Sequence, residues 1–186
     1  MSPCCLHGTY DTLQYFSFDA YAARKSGEFL KRMPSMSREE MSLVESNCLR
    51  RQGELSQSIS ILRELCDTVK SSDGNMDANV LACALYQLGR ALRQAGELDE
   101  AHTCFQQCID LGKAVTREKY TIPHSLLEIG MLHLNSGEAE EAMSALVTAK
   151  KYSSYDFDKP NLRRIMRCLD RAKEMVSTSS ARTPTP

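Results

Sequence analysis

Apolar residues return along this chain at three- and four-residue intervals, the spacing that lines one face of an α-helix. The clearest stretches are Leu85-x2-Leu88-Gly89-x2-Leu92, Leu126-x2-Ile129-Gly130-x2-His133 and the stripe Leu162, Ile165, Met166, Leu169. Read with their breaks, the patterns predict helices near 11–32, 37–52, 54–71, 77–95, 97–115, 119–136, 138–152 and 159–176. Met33-Pro34-Ser35 ends the first, and Ser37 with Glu40 makes an S-x-x-E capping box for the second. Ser71-Ser72-Asp73-Gly74-Asn75 reads as a loop. Pro123 falls in the first turns of its helix, where a missing N–H costs little.

The helical pattern repeats. Gly53-Glu54-Leu55-Ser56-Gln57-Ser58, Gly96-Glu97-Leu98-Asp99-Glu100-Ala101 and Gly137-Glu138-Ala139-Glu140-Glu141-Ala142 share Gly-Glu, with a small residue five places after the glycine. The glycines lie 43 and 41 residues apart. A glycine supplies the positive φ that ends a helix tightly, and an acidic residue suits the positive end of the next helix. The small residue lets the two helices approach, so each copy predicts a helical hairpin. A second small position precedes each turn by seven residues, at Ser46, Gly89 and Gly130. Downstream, Ala101-x3-Phe105 and Ala142-x3-Leu146 complete the second and third copies, while the first carries Ser58 in place of alanine.

These positions resemble the tetratricopeptide repeat, whose first helix carries an aromatic-x2-Leu-Gly-x2-Tyr pattern and whose second carries Ala-x3-Phe. The spacing here exceeds that family's roughly 34 residues, so longer helices or linkers are expected. The runs Lys119 to Gly130, Gly137 to Ala142, Ala149 to Tyr155 and Leu162 to Leu169 are further similar to the end of the tetratricopeptide repeat protein 39 family. Cys48-Leu49-Arg50, Asp77 and Ala23-Arg24-Lys25 fit the same template, which covers roughly residues 20 to 172. That resemblance implies an interaction protein without a catalytic centre, matching a carboxy-terminal portion of longer relatives. It also implies a location at the mitochondrial outer membrane or a part in lipid-related regulation.

Composition narrows the function classes. With 23 basic and 24 acidic residues and a net charge of -1, the chain has no overall footprint for nucleic acid. No apolar stretch approaches the roughly 20 residues that span a bilayer. Met1 to Tyr10 lacks a charged leader with an apolar core, so a soluble, unsecreted, cytoplasmic chain is expected. Eight cysteines, at 4, 5, 48, 66, 83, 104, 108 and 168, fall mostly inside helical patterns, which suits a reducing compartment.

Catalytic chemistry finds no constellation. His7, His102, His124 and His133 have no Cys or carboxylate partner at a recognisable spacing, and no phosphate loop or H-E-x-x-H is present. Cys104, Cys108 and His102 could be metal ligands, but Cys108 suits a small packing slot after Phe105 better. His133 fits an aromatic core slot. The vicinal Cys4-Cys5 is a candidate for reactivity or lipidation. No enzyme, cofactor or metal is expected.

The resulting expectation is an all-α, tetratricopeptide-like right-handed solenoid. Its parts are a disordered start (1–10), an N-terminal helix, three hairpins (about 37–71, 77–115 and 119–152), a capping helix (159–176) and a disordered tail (177–186). First helices of stacked hairpins line a concave wall. The groove candidates are Leu43, Asn47, Arg50 and Arg51, then Tyr86, Arg90 and Arg93, then His124, Leu127 and Met131. Four arginines beside an apolar strip suit an acidic or carboxylate-ended peptide, making the chain a protein-binding adaptor. Glu128 sits where a two-carboxylate clamp would want another basic group, so binding of chaperone tails is not expected. The alternative is a structural or self-associating role. There the groove is filled by the chain's own N-terminal helix, with Tyr15, Phe16, Phe18, Phe29 and Leu30 as its apolar residues.

Overall fold

A computed structural model describes residues 24–27, 37–71 and 76–180, the side chains through 178. The vicinal Cys4-Cys5, the aromatic residues from Tyr15 to Phe29 and the segments 1–10 and 181–186 lie outside it. The described chain is helical: α1 (Arg38–Gln52), α2 (Leu55–Lys70), α3 (Ala78–Ala95), α4 (Leu98–Asp110), α5 (Thr121–Ser136), α6 (Ala139–Lys150) and α7 (Asp158–Ser180). Residues 24–27 add a single helical turn, and Gly112–Ala114 a 3-10 turn. Consecutive helices pack as antiparallel pairs, α1 with α2, α3 with α4 and α5 with α6, and α7 closes the far end against α6 and α5.

The three bends are built alike. Gly53, Gly96 and Gly137 have φ of 91°, 90° and 85°, a backbone state that costs a residue with a Cβ roughly 1–2 kcal/mol. In each bend the N–H of the following glutamate donates to a carbonyl five residues back: Glu54 to Leu49, Glu97 to Leu92 and Glu138 to His133, all at 2.9 Å. At the start of α1, Ser37 and Glu40 close both arms of the capping box. Asp77 caps α3 by accepting from the N–H groups of Asn79 and Val80.

Inside each pair the contacts also share one register. Ser58, Ala101 and Ala142 are fully enclosed. Ser58 Oγ donates to the Ser46 carbonyl at 2.8 Å, so the serine in the first pair satisfies its own hydroxyl. Sixteen residues after Ser46, Gly89 and Gly130 come Leu62, Phe105 and Leu146, each with no exposed surface. The period longer than the tetratricopeptide norm goes into 18 residues of α3, 16 of α5 and the linkers between pairs. The α4–α5 linker is held by one side chain: Asn79 Oδ1 accepts from the N–H groups of Thr116, Arg117 and Glu118 at 3.0, 2.8 and 3.4 Å.

Successive first helices lie on one another, α1 on α3, α3 on α5 and α5 on α7. Between α2 and α4 the polar links are made by long side chains, Arg63 to Glu100 and Lys70 to Gln107. A stack tight on its first-helix side and splayed on the other is concave along α1, α3, α5 and α7.

Three expectations need correction. His133 does not fill a core slot: its side chain stays 23% exposed, meets Glu138 at 2.6 Å and stacks edge-on against His102. An imidazole keeps its hydrogen bonds at the rim, where burial would strip them. On α7 the buried face is Asn161, Ile165, Leu169 and Ala172, whereas Leu162 is 42% exposed. The same helix continues to Ser180, four residues into the stretch expected to be disordered.

Candidate functional site

Helical geometry decides which side chains reach the concave face. On α3, steps of three and four bring Cys83, Tyr86, Arg90 and Arg93 to one side; on α5 the matching row is His124, Glu128 and Met131, with Tyr120 just before it. Leu43, Asn47 and Arg50 extend this face on α1, and Arg164 extends it on α7. Leu127 does not belong to it. One position from Glu128 turns a side chain about 100° around the helix, and Leu127 lies wholly in the core. Arg51 is solvent-exposed and has no partner on this face among the described residues.

The floor is a lattice of rings meeting edge to face. Tyr86 lies 6.2 Å from Tyr120 and 5.9 Å from His124, and Tyr120 lies 5.7 Å from His124 and 6.2 Å from Phe157. Tyr155 adds a further edge against His124 at 6.1 Å. Such pairs contribute roughly 0.5–1.5 kcal/mol each beyond their burial, so this floor is stiff. The Tyr86 hydroxyl and His124 Nδ1 are 3.3 Å apart, and His124 Nε2 is buried with no hydrogen-bond partner. Burial above all, then the charges of Arg164 and Arg90, hold the His124 pKa down at about 4, so the ring is neutral near pH 7.

Beyond the floor lies a cationic end. Arg90 stacks over the Tyr86 ring with its guanidinium carbon 5.5 Å from the centroid. Among the described residues no carboxylate comes within 4.0 Å of it. Arg93 and Arg164 converge on Glu128 at 3.1 and 3.6 Å. The Arg93 contact is an ion pair without hydrogen-bond alignment, because neither Arg93 Nε nor Glu128 Oε2 has a hydrogen-bonded partner. Arg164 also points at Met131 Sδ, 3.7 Å away. Arg50 donates to Asn47 at 2.9 Å and to Gln94 at 3.3 Å, and burial followed by repulsion from Arg90 lowers its pKa. Among the described residues one enclosed carboxylate thus stands among Arg50, Arg90, Arg93 and Arg164, and positive charge is in excess.

The opposite end is acidic. Glu118 is 7% exposed and sits just ahead of Tyr120, while Asp156 lies between the floor residues Tyr155 and Phe157. The Arg24 guanidinium bridges them, 2.5 Å from Asp156 and 3.8 Å from Glu118, and Lys25 also pairs with Glu118.

Most of the groove residues read from sequence therefore share one surface: Leu43, Asn47, Arg50, Tyr86, Arg90, Arg93, His124 and Met131. The sequence pattern does not point to Arg164, whose helix carries the stripe of a cap, nor to the rings of Tyr120, Tyr155 and Phe157. The acidic end is also absent from it, since Glu118, Asp156 and the cations that pair with them come from three distant parts of the chain. Cys66, Cys83, Cys104 and Cys108 are buried, and burial raises their thiols to about 12, 12, 11 and 11. Among the described residues no group of three or more His, Cys, Asp or Glu is placed to hold a metal ion, and no helix is long and apolar enough to cross a membrane.

Residues 82–114, which span α3, α4 and the 3-10 turn, match the tetratricopeptide repeat family. The chain is also similar to the crystal structure of BtubC (BKLC) from P. vanneervenii. The TM-score is 0.55 at 11% identity, over 91% of this chain and 77% of that one. At that identity the likeness concerns the fold alone. Together with the three equivalent hairpins, it makes the architecture a tetratricopeptide-like helical solenoid.

Proposed function

We propose that this helical solenoid is a non-catalytic protein-interaction adaptor whose concave face receives an acidic or carboxylate-ended peptide. The observation that carries the reading is Arg90, placed over the Tyr86 ring with no carboxylate partner among the described residues, beside the Arg164–Glu128–Arg93 cluster. A guanidinium fixed by stacking loses little freedom when it binds a carboxylate through two parallel N–H groups. The aromatic floor supplies apolar area beside it. The repeat pattern supports a protein partner, and the likeness of residues 119–169 to the tetratricopeptide repeat protein 39 family supports an interaction role over a catalytic one. Four buried free thiols suit the reducing cytoplasm.

The test is fluorescence anisotropy with a labelled acidic peptide library. Binding should weaken steeply between about 50 and 200 mM salt, and Arg90→Ala should lower affinity about tenfold. Affinity unchanged by Arg90→Ala and by Arg164→Ala contradicts the reading.

One observation favours the structural alternative: Arg24 and Lys25, which precede the first hairpin, already sit on Glu118 and Asp156 at the mouth of the same face. In that reading the groove is filled in cis or by a second copy. Sedimentation of the full chain with peptide separates them, since a monomer that takes up peptide supports the adaptor, while a dimer, or a monomer that takes up none, supports the alternative.

A further inference from the structure

We infer that Glu118 and Asp156 form a second subsite of the groove, one that reads a basic residue pair of the partner and that Arg24-Lys25 of this chain occupies in its place. The inference rests on the adaptor reading and extends it to the sequence the groove selects.

Two observations point to a cationic ligand here. First, Glu118 is a carboxylate with 9% of its side chain exposed, and its Oε2 accepts no hydrogen bond. Its backbone is fixed, because its N–H donates to Asn79 Oδ1 and its carbonyl accepts from both the N–H and the hydroxyl of Thr121. A buried carboxylate with an unused oxygen is costly unless a cation faces it. Second, cations do face it. Arg24 bridges both carboxylates and Lys25 reaches Glu118, although these two residues lie 93 or more positions away in sequence and belong to none of the three hairpins. The linkers that precede α5 and α7 therefore build the acidic pair, and a separate piece of chain supplies the charge that completes it.

The two ends of the face are joined by the ring floor, which fixes a spacing. From Thr121 to Glu128 the helix rises about 10 Å at about 1.5 Å per residue. Glu118 stands one turn before it, its carbonyl accepting from the Thr121 N–H, which brings the span to about 15 Å. An extended peptide advances about 3.4 Å per residue, so about four residues separate a basic pair at Glu118 and Asp156 from an acidic group at Arg90 and Arg164. Opposite charges at the two ends also set the direction in which a peptide lies, since reversing it places like charges together. Among the described residues Arg24 and Lys25 meet carboxylates at the acidic end alone, so their competition lowers affinity for the basic half of a basic-acidic peptide.

The experiment uses the full chain and three synthetic peptides: one with an Arg-Lys pair four residues from a Glu-Glu pair, one with the basic pair replaced by Ala-Ala, and one with the acidic pair so replaced. Titrations are run on the natural chain, on Arg24→Ala/Lys25→Ala and on Glu118→Gln. Removing Arg24 and Lys25 should tighten the two peptides that carry the basic pair about tenfold and leave the acidic-only peptide unchanged. Glu118→Gln should erase the advantage conferred by the basic pair. The inference is overturned if the Arg24→Ala/Lys25→Ala chain binds peptides with and without the basic pair equally, or if Glu118→Gln preserves the difference. Failure of the adaptor reading looks different: the acidic-only peptide then binds no variant, while the basic-only peptide still reports on Glu118.

Discussion

Gly89 and Phe105 are pressed together so closely that a Cβ built on Gly89 stands 2.7 Å from Cε1 of the Phe105 ring. The same contact recurs one hairpin later, where a Cβ on Gly130 meets Leu146 Cγ at 2.6 Å. Helix propensity alone favours alanine over glycine by about 1 kcal/mol. The steric term is larger here, because Phe105 is enclosed and its ring has nowhere to retreat. Gly89→Ala is therefore expected to destabilise the chain by about 1–3 kcal/mol in urea unfolding. Phe105→Leu costs stability alone but should relieve part of the clash, so the double variant should lose less than the two single losses combined. Strict additivity would show that the two residues do not pack as described.

His124 gives the fold a pH dependence of definite sign. Its folded pKa of about 4, held down by burial and then by Arg164 and Arg90, lies below the ordinary 6.5. Between those values the unfolded chain takes up the proton first, so stability rises with pH across that window. The contribution is complete above about 6.5 and fades toward pH 4, with roughly 3 kcal/mol as its upper size. Urea unfolding at pH 7.5 and 4.5 should show a larger loss on acidification for the natural chain than for His124→Phe, which keeps a ring on the floor but cannot titrate. Equal losses in the two chains would remove His124 as the cause.

Thiol chemistry should follow burial. Cys48 is exposed on α1, whereas Cys108 is enclosed and its Sγ faces the Ala82 carbonyl at 3.5 Å. Burial pushes that thiol up to about 11, so little thiolate exists to react. Mass-spectrometric mapping after brief alkylation of the native chain at pH 8 should find Cys48 modified well before Cys66, Cys83, Cys104 and Cys108. Early loss of Cys108 would mean that the α3–α4 seam opens readily.

The turns and seams were legible in the sequence because each depends on near neighbours. A glycine, a glutamate and a small residue five places on define a bend, and a small residue seven places before it defines the seam, as Ser46, Gly89 and Gly130 show. The row of groove residues followed from the helical step, and it failed at Leu127, where one position of rotation separates surface from core. What stayed hidden depends on distance along the chain. Asn79 clasps three N–H groups 37 or more residues away, and nothing in its own helix signals that. The acidic end needs Glu118, Asp156 and the residues at 24 and 25 together, which no period connects. Arg164 joined the groove because α7 lies beside α5 as another first helix would, a role its apolar stripe alone did not reveal.

The central claim is that the face made by α1, α3, α5 and α7 is where a partner binds. Amide chemical shifts of the full chain, recorded while an acidic peptide is titrated in, test it most directly. The account predicts that the shifts that move cluster at Asn47, Tyr86, Arg90, His124, Met131 and Arg164, and that α2, α4 and α6 stay quiet. Movement confined to the outer helices, or none at saturating peptide, would contradict it.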